Sequence, residues 1–201
     1  MSLNTKKIVV LISGYGTNLQ SIIDNCINNN INGEIKVVIS NKKDAYGLIR
    51  AQKANIDTKV ITDNKELLIF LLNQNIDLII LAGYLKILPE EIINAFKSRI
   101  INIHPSLIPS FCGMGFYGMR VHEAVFKKGV RYTGATTHFV TKDADEGPII
   151  YQKIIEIKED YNIETIANKV LEKEHEILVK SVKDFCDDKL YIKDNKVYTK
   201  K

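Results

Sequence analysis

The run Ile8-Val9-Val10-Leu11-Ile12-Ser13-Gly14-Tyr15-Gly16-Thr17-Asn18-Leu19 decides the fold class. Its opening residues are all apolar and mostly β-branched. They read as a strand buried on both faces, since a half-solvated strand would alternate apolar with polar. Ser13 to Asn18 breaks that pattern with two glycines, and a helical periodicity then runs from about Leu19 to Asn28. Strand, tight turn and helix in this order open a βαβ unit.

The rhythm repeats outward. Val37 to Ile39, Thr58 to Ile61, Leu78 to Leu81 and Ile100 to Ile103 are further strand candidates, separated by helical stretches near 45–54, 64–74 and 89–97. This predicts an α/β fold, a Rossmann-like and mostly parallel sheet with helices on both faces. After His104 the pattern changes. Pro105 and Pro109 break regularity, 110–118 reads as a loop rich in Gly and aromatics, and a short helix follows near 120–128. Tyr132 to Val140 and Ile149 to Ile157 read as two strands around a turn at 143–147, which predicts an antiparallel pair. A long amphipathic helix from Ile163 to Phe185 places Ile166, Val170, His175, Leu178 and Val182 roughly on one stripe. One domain is expected over 1–188. The tail, 189–201, is expected to form a small hairpin around Asp194-Asn195 that frays into lysines.

Composition sets limits on function. The length of 201 residues buries a core without disulfide or metal staples, and 45% hydrophobic with 26% charged residues excludes a disordered chain. The net charge of +4 is spread along the sequence, so no nucleic-acid partner is expected. Cys26, Cys112 and Cys186 match neither a zinc spacing nor a redox CxxC, which suits a reducing cytoplasm. Met1 to Lys7 contains no signal-peptide core, and no apolar run reaches membrane-spanning length, so no membrane association is expected.

Three segments carry candidate chemistry. Ser13 to Asn18 puts glycines before a helix N-terminus, where free N–H groups favour a phosphate; a plain turn capped by Thr17 or Asn18 explains it equally. With Leu19 in place of a third glycine, and Ser40-Asn41 where an acidic residue would close the second strand, a dinucleotide fingerprint is absent. In Ile101-Asn102-Ile103-His104, the two polar side chains leave the same face of a strand at its carboxyl end, where open α/β sheets bind ligands. The alternative is a satisfied buried Asn with a structural His. Thr141 to Pro148 is by itself a turn with solvated carboxylates.

Together these segments carry a resemblance. Asn-Ile-His-Pro-Ser-Leu-Ile-Pro (102–109), His-Phe-Val-Thr (138–141) and Asp-Glu-Gly-Pro (145–148) resemble the folate-dependent formyltransferase family, which includes methionyl-tRNA formyltransferases and formyltetrahydrofolate deformylases. Val-Val-Leu-Ile-Ser-Gly-Tyr-Gly-Thr-Asn-Leu-Gln (9–20) narrows it to the branch that formylates glycinamide ribonucleotide in purine synthesis. The resemblance runs from about residue 7 to about 185. It implies a phosphate-binding half, about 1–100, and a folate-binding and catalytic half, about 101–188. Asn102, His104 and Asp145 match the catalytic trio, and Gly16, Thr17 and Asn18 match the loop that holds the ribonucleotide phosphate. Glu174, Tyr84 and Pro105 are implied substrate contacts. Lys65, Leu85, Lys86, Ile87, Leu88, Asn102 and Thr141, Lys142, Asp143, Ala144 and Asp145 are the implied folate contacts. The co-substrate is 10-formyltetrahydrofolate, with no metal, and the expected assembly is a monomer or weak homodimer.

The implied chemistry is attack by the acceptor's amine on the formyl carbon, with Asn102 and His104 serving the oxyanion and the proton. Asp145 is expected to orient His104, raise its pKa and order a relay water. His138 is read as either a second layer behind this site or core packing, His122 as a surface residue, and His175 as packing or capping. Phe111 to Arg120 is read as a lid or a surface insertion. A deformylase is expected to carry an extra N-terminal domain and a tRNA-directed transferase a C-terminal one. Outside the family, the alternative is a nucleotide-binding or sugar-phosphate-binding Rossmann module without catalysis.

Overall fold

A computed structural model describes residues 5–200. Residues 1–4, part of the stretch read as lacking a signal peptide, and Lys201, at the end of the lysine tail, lie outside the described residues. The expected alternation is present: β1 (Lys6–Ile12), α1 (Thr17–Ile27), β2 (Gly33–Ser40), α2 (Tyr46–Lys53), β3 (Thr58–Val60), α3 (Asn64–Leu72), β4 (Leu78–Leu81), α4 (Glu90–Ala95) and β5 (Ile100–His104). Then come α5 (Met119–Lys128), β6 (Tyr132–Phe139), β7 (Ile149–Glu156), α6 (Ile163–Cys186), β8 (Leu190–Lys193) and β9 (Lys196–Thr199). The seven-stranded sheet has the order β3-β2-β1-β4-β5-β6-β7. Its first five strands pair in parallel, whereas β6 pairs antiparallel with both β5 and β7.

Alternation along the strands feeds two cores. Ile8, Val10 and Ile12 of β1 pack with Leu19, Ile22 and Ile23 of α1 and with α6 residues such as Ile166 and Val170. Val9 and Leu11 face the other way, into Leu67 and Leu71 of α3 and Ile92 and Ile93 of α4. A strand with helices on both faces has no solvated side, hence the unbroken apolar run that opens the chain.

Two details differ from the sequence reading. The second strand begins at Gly33 rather than Val37, because Glu34 and Lys36 alternate outward from half-buried or buried neighbours. On α6 the buried stripe is Ile166, Val170, Glu174, Ile177, Leu178, Ser181 and Val182. His175 stands one residue off this stripe and is half-buried; the stripe's third position is a glutamate. The tail hairpin is present as β8–β9, with Asp194 and Asn195 both at positive φ (49° and 57°), as a tight two-residue hairpin turn requires. Among the described residues no helix is long and apolar enough to cross a membrane.

The strand order reverses between β1 and β4, and such a switch point leaves a crevice beyond the carboxyl ends of the strands. Asn18 at the start of α1, the 83–88 segment after β4 and the polar end of β5 all open into it.

Candidate active site

A cavity of roughly 680 Å³ occupies this crevice. Its walls include Asn102, His104 and Asp145, the 83–88 segment, the 141–146 turn, Pro105, Asn18 and Glu174. The structure therefore gathers residues far apart in the chain into one chamber. Lys65 sits in the first turn of α3, outside the cavity walls, and of Gly16, Thr17 and Asn18 only Asn18 lines them.

The turn after β1 is shaped for close packing. Gly16 has φ 76°, and a Cβ there would stand 2.7 Å from the Gly47 Cα. Neither Thr17 nor Asn18 caps α1: the helix has no side-chain cap and no acidic residue in its first turn. Its leading N–H groups thus remain available to an anion. The Asn18 side chain turns inward and donates to Glu174 Oε2 at 2.6 Å. Burial pushes the Glu174 carboxyl above its ordinary pKa, and the bond from Asn18 opposes that only in part. Ser13 joins this loop to the 83–88 wall: its hydroxyl donates to Asn41 Oδ1 at 2.6 Å and accepts from the Leu85 N–H at 2.8 Å.

At the end of β5, His104 Nε2 lies 2.9 Å from the Phe111 carbonyl, so the proton on Nε2 donates there. Nδ1 then faces Asp145 Oδ2 at 3.5 Å. Asp145 Oδ2 also accepts from the Gly113 N–H at 2.9 Å. Asn102 Nδ2 reaches His138 Nε2 at 3.1 Å and Asp145 Oδ1 at 3.4 Å. Asp145 holds this position with φ 59°, a left-handed conformation that Asp tolerates better than most residues.

Burial pushes the Asp145 carboxyl up, but His138, His104 and the Gly113 N–H together hold it below the ordinary carboxylate value. His104 departs from expectation. Burial pulls its pKa down further than Asp145 and the Phe111 carbonyl raise it, so the net shift is downward rather than upward. Desolvation of a ring so deep in the wall outweighs one carboxylate at 3.5 Å.

Two features were less visible in sequence. His122, read as a surface residue, is buried on the cavity wall with Nδ1 lacking a partner among the described residues. Its i, i+3 spacing from Val125, which is buried, was the available signal. The Gly-rich loop is part of the wall rather than a detached insertion: Gly113 to Gly118 line the cavity, and Phe111 packs edge-on against Phe116 at 6.2 Å. Burial also raises all three thiols, Cys26 to about 11 and Cys186 to about 12. These shifts favour unreactive, protonated sulfur. Among the described residues, no group of three His, Cys, Asp or Glu side chains could hold a metal ion.

The buried histidines make stability pH-dependent. Burial, with help from nearby His104, lowers His122 from 6.5 to about 4, and burial lowers His104 and His175 as well. Between about pH 6.5 and 4 the unfolded chain therefore binds more protons than the folded one, so acid destabilises the fold. Asp145 acts in the same sense at lower pH, its contribution being lost as pH falls through its depressed folded value. The thermal midpoint is expected to drop steadily from pH 7 to pH 4.5, with part of that slope removed in His122→Asn. An unchanged slope in that variant would contradict the assignment.

Comparison with known proteins agrees with this geometry. Residues 6–182 match the formyl transferase family. A phosphoribosylglycinamide formyltransferase of Haemophilus influenzae is 40% identical over 202 residues, covering 96% of this chain and 93% of that one. The chloroplastic phosphoribosylglycinamide formyltransferase of Arabidopsis thaliana is 37% identical over 195 residues, covering 92% of this chain and 67% of the relative. The crystal structure of glycinamide ribonucleotide transformylase 1 from Symbiobacterium toebii has a TM-score of 0.91 at 36% identity, over 98% of this chain and 94% of that one. With a family match over most of its length and relatives this similar from end to end, the chain belongs to the formyl transferase family.

Proposed function

We propose that the chain transfers the formyl group of 10-formyltetrahydrofolate to the amine of glycinamide ribonucleotide, giving the N-formyl product and tetrahydrofolate. It is a folate-dependent one-carbon transferase of purine biosynthesis. The observation that carries the residue assignments is the meeting of Asn102, His104 and Asp145 in one cavity, beside the uncapped N-terminus of α1.

The acceptor's neutral amine attacks the formyl carbon, and the carbonyl π pair moves onto oxygen as the new C–N bond forms. The Asn102 amide supplies an N–H to that oxyanion, a contact worth on the order of 3 kcal/mol in sites of this kind. The attacking nitrogen then sheds a proton. His104 is neutral, with Nε2–H committed to the Phe111 carbonyl, so Nδ1 is its basic atom. Nδ1 takes the proton, and Asp145 at 3.5 Å stabilises the imidazolium that forms. As the bond to the folate nitrogen breaks, that nitrogen takes up the proton through a water ordered by Asp145. The phosphate rests on the leading N–H groups of α1, and Glu174, oriented by Asn18, faces the rest of the acceptor. The folate pterin fits between 84–88 and 141–145, and Lys65 meets its tail.

The test is a transfer assay with both substrates. Tetrahydrofolate formation that depends on the ribonucleotide is expected. Equal turnover without the ribonucleotide would make the protein a hydrolase, and binding without turnover would make it a non-catalytic Rossmann module.

A further inference from the structure

We propose that His138 is a positioning residue that sets which way the Asn102 amide faces. The inference rests on the formyl-transfer reading above. Asn102 and His138 are direct cross-strand partners in the antiparallel pair β5–β6, so their side chains share one face of the sheet. His138 is almost fully buried, with 2% of its surface exposed. Its two ring nitrogens have different neighbours, and those neighbours decide the proton inventory.

Nδ1 lies 3.0 Å from the carbonyl oxygen of Phe139. A carbonyl only accepts, so Nδ1 must carry a proton. In the neutral ring Nε2 is then bare and can only accept. Its nearest neighbour, at 3.1 Å, is the terminal group of Asn102, with Asp145 Oδ1 farther off at 3.5 Å; the Asn102 group facing a bare Nε2 is the NH₂ and not the carbonyl. The flipped amide would set two acceptors against each other in a buried site. One Asn102 N–H is thus fixed on His138. The other is held only loosely by Asp145, at 3.4 Å, and is free to exchange to the formyl oxygen. Without the bare Nε2, both orientations of the amide become accessible, and one of them presents a carbonyl to a developing oxyanion.

The surroundings support this arrangement. The β6–β7 register shifts between Thr137 and His138, and such irregularities re-aim side chains beside active sites. The carbonyl that fixes Nδ1 belongs to Phe139, whose own N–H donates to the Pro148 carbonyl at 3.0 Å. The tautomer of His138 is thereby set by the main chain next to the Asp145 turn.

Two substitutions separate positioning from packing. In His138→Gln the amide oxygen reaches the place of Nε2 and still accepts. In His138→Asn the shorter amide reaches only the place of Nδ1. The expected result is a fall in kcat of about a hundred-fold for His138→Asn, a loss typical of misplaced reacting groups, with little change in either KM. His138→Gln is expected to stay within a few-fold of wild type. In an Asn102→Ala background, His138→Asn is expected to cost nothing further. Equal losses in the Gln and Asn variants, or an undiminished loss without Asn102, would overturn the inference. Nitrogen NMR of the wild-type imidazoles gives a readout independent of whether the variants fold. His138 should carry its proton on Nδ1 with Nε2 bare, and an Nε2–H ring would refute the proposal. Absence of transfer by the wild type with both substrates would instead refute the underlying formyl-transfer reading.

Discussion

Replacing His104 by Ala, or Asp145 by Asn, is expected to lower kcat by about a thousand-fold, with KM for both substrates held within a few-fold. In the proposed mechanism both residues act on a proton and a charge that appear only along the reaction, so ground-state binding is expected to lose little. His104→Ala removes Nδ1, the basic atom facing Asp145. Asp145→Asn keeps an oxygen for the Gly113 N–H but no longer carries the negative charge that favours protonation of His104. Because the proposed mechanism has the two residues move one proton, the double variant should be little worse than either single one. The pH profile adds a sign. In the proposed mechanism His104 serves in its neutral form, and burial lowers its pKa from the ordinary 6.5, so activity is expected to persist below that pH and decline on further acidification. A decline centred above pH 6.5, or Asp145→Asn with normal kcat, would show that the pair does not carry the proton.

That assignment joins two kinds of information, and only one was open to inspection in sequence. Strand periodicity placed Asn102 and His104 on one face of β5, because alternation is a property of side-chain identity. It also recovered the parallel sheet, since strands covered on both sides have no other apolar pattern available, while the turn at 143–147 announced the antiparallel pair, whose outer strand is largely exposed. Asp145 was different. Nothing in its turn distinguished it from Asp143 or Glu146; resemblance selected it, and its left-handed backbone puts its carboxylate beside His104 and His138. The Phe111 carbonyl and Gly113 N–H are main-chain groups, which every non-proline residue has, so no side-chain pattern could announce them. Burial also reversed two readings, one made from helical periodicity and one from charge. Glu174 occupies the buried stripe of α6 that His175 was expected to join, and desolvation lowers the His104 pKa that Asp145 was expected to raise. Desolvation depends on what the rest of the chain packs around a group, and a local window does not contain it.

The Phe139 carbonyl leads to the other large effect, which falls on folding as well as on catalysis. Gly147 packs so tightly against it that a Cβ at that position would stand inside the carbonyl oxygen, and the Thr141 Cγ2 closes the other side at 3.3 Å. The obstruction is backbone in a paired strand, so no rotamer change relieves it. Gly147→Ala must displace either β6 at Phe139 or the turn that carries Asp145, two residues before it. A loss of stability on the order of 3 kcal/mol is expected, at the upper end for overpacking because main chain must move. Activity of the surviving folded protein is expected to fall as well. The same carbonyl holds the His138 Nδ1 proton, and the same turn sets the distances from Asp145 to His104 and Asn102. Gly14→Ala is the control for folding: no atom lies within 4 Å of its added Cβ, and its φ is not positive, so its denaturation midpoint should match wild type. Denaturant titration paired with initial rates on the folded fraction separates the two consequences. If Gly147→Ala unfolds at the wild-type midpoint, the carbonyl has room to move. If it loses stability but keeps full kcat, the turn and the catalytic groups are not mechanically joined. Both losses together would tie the geometry of Asp145 to a glycine that never touches the substrate.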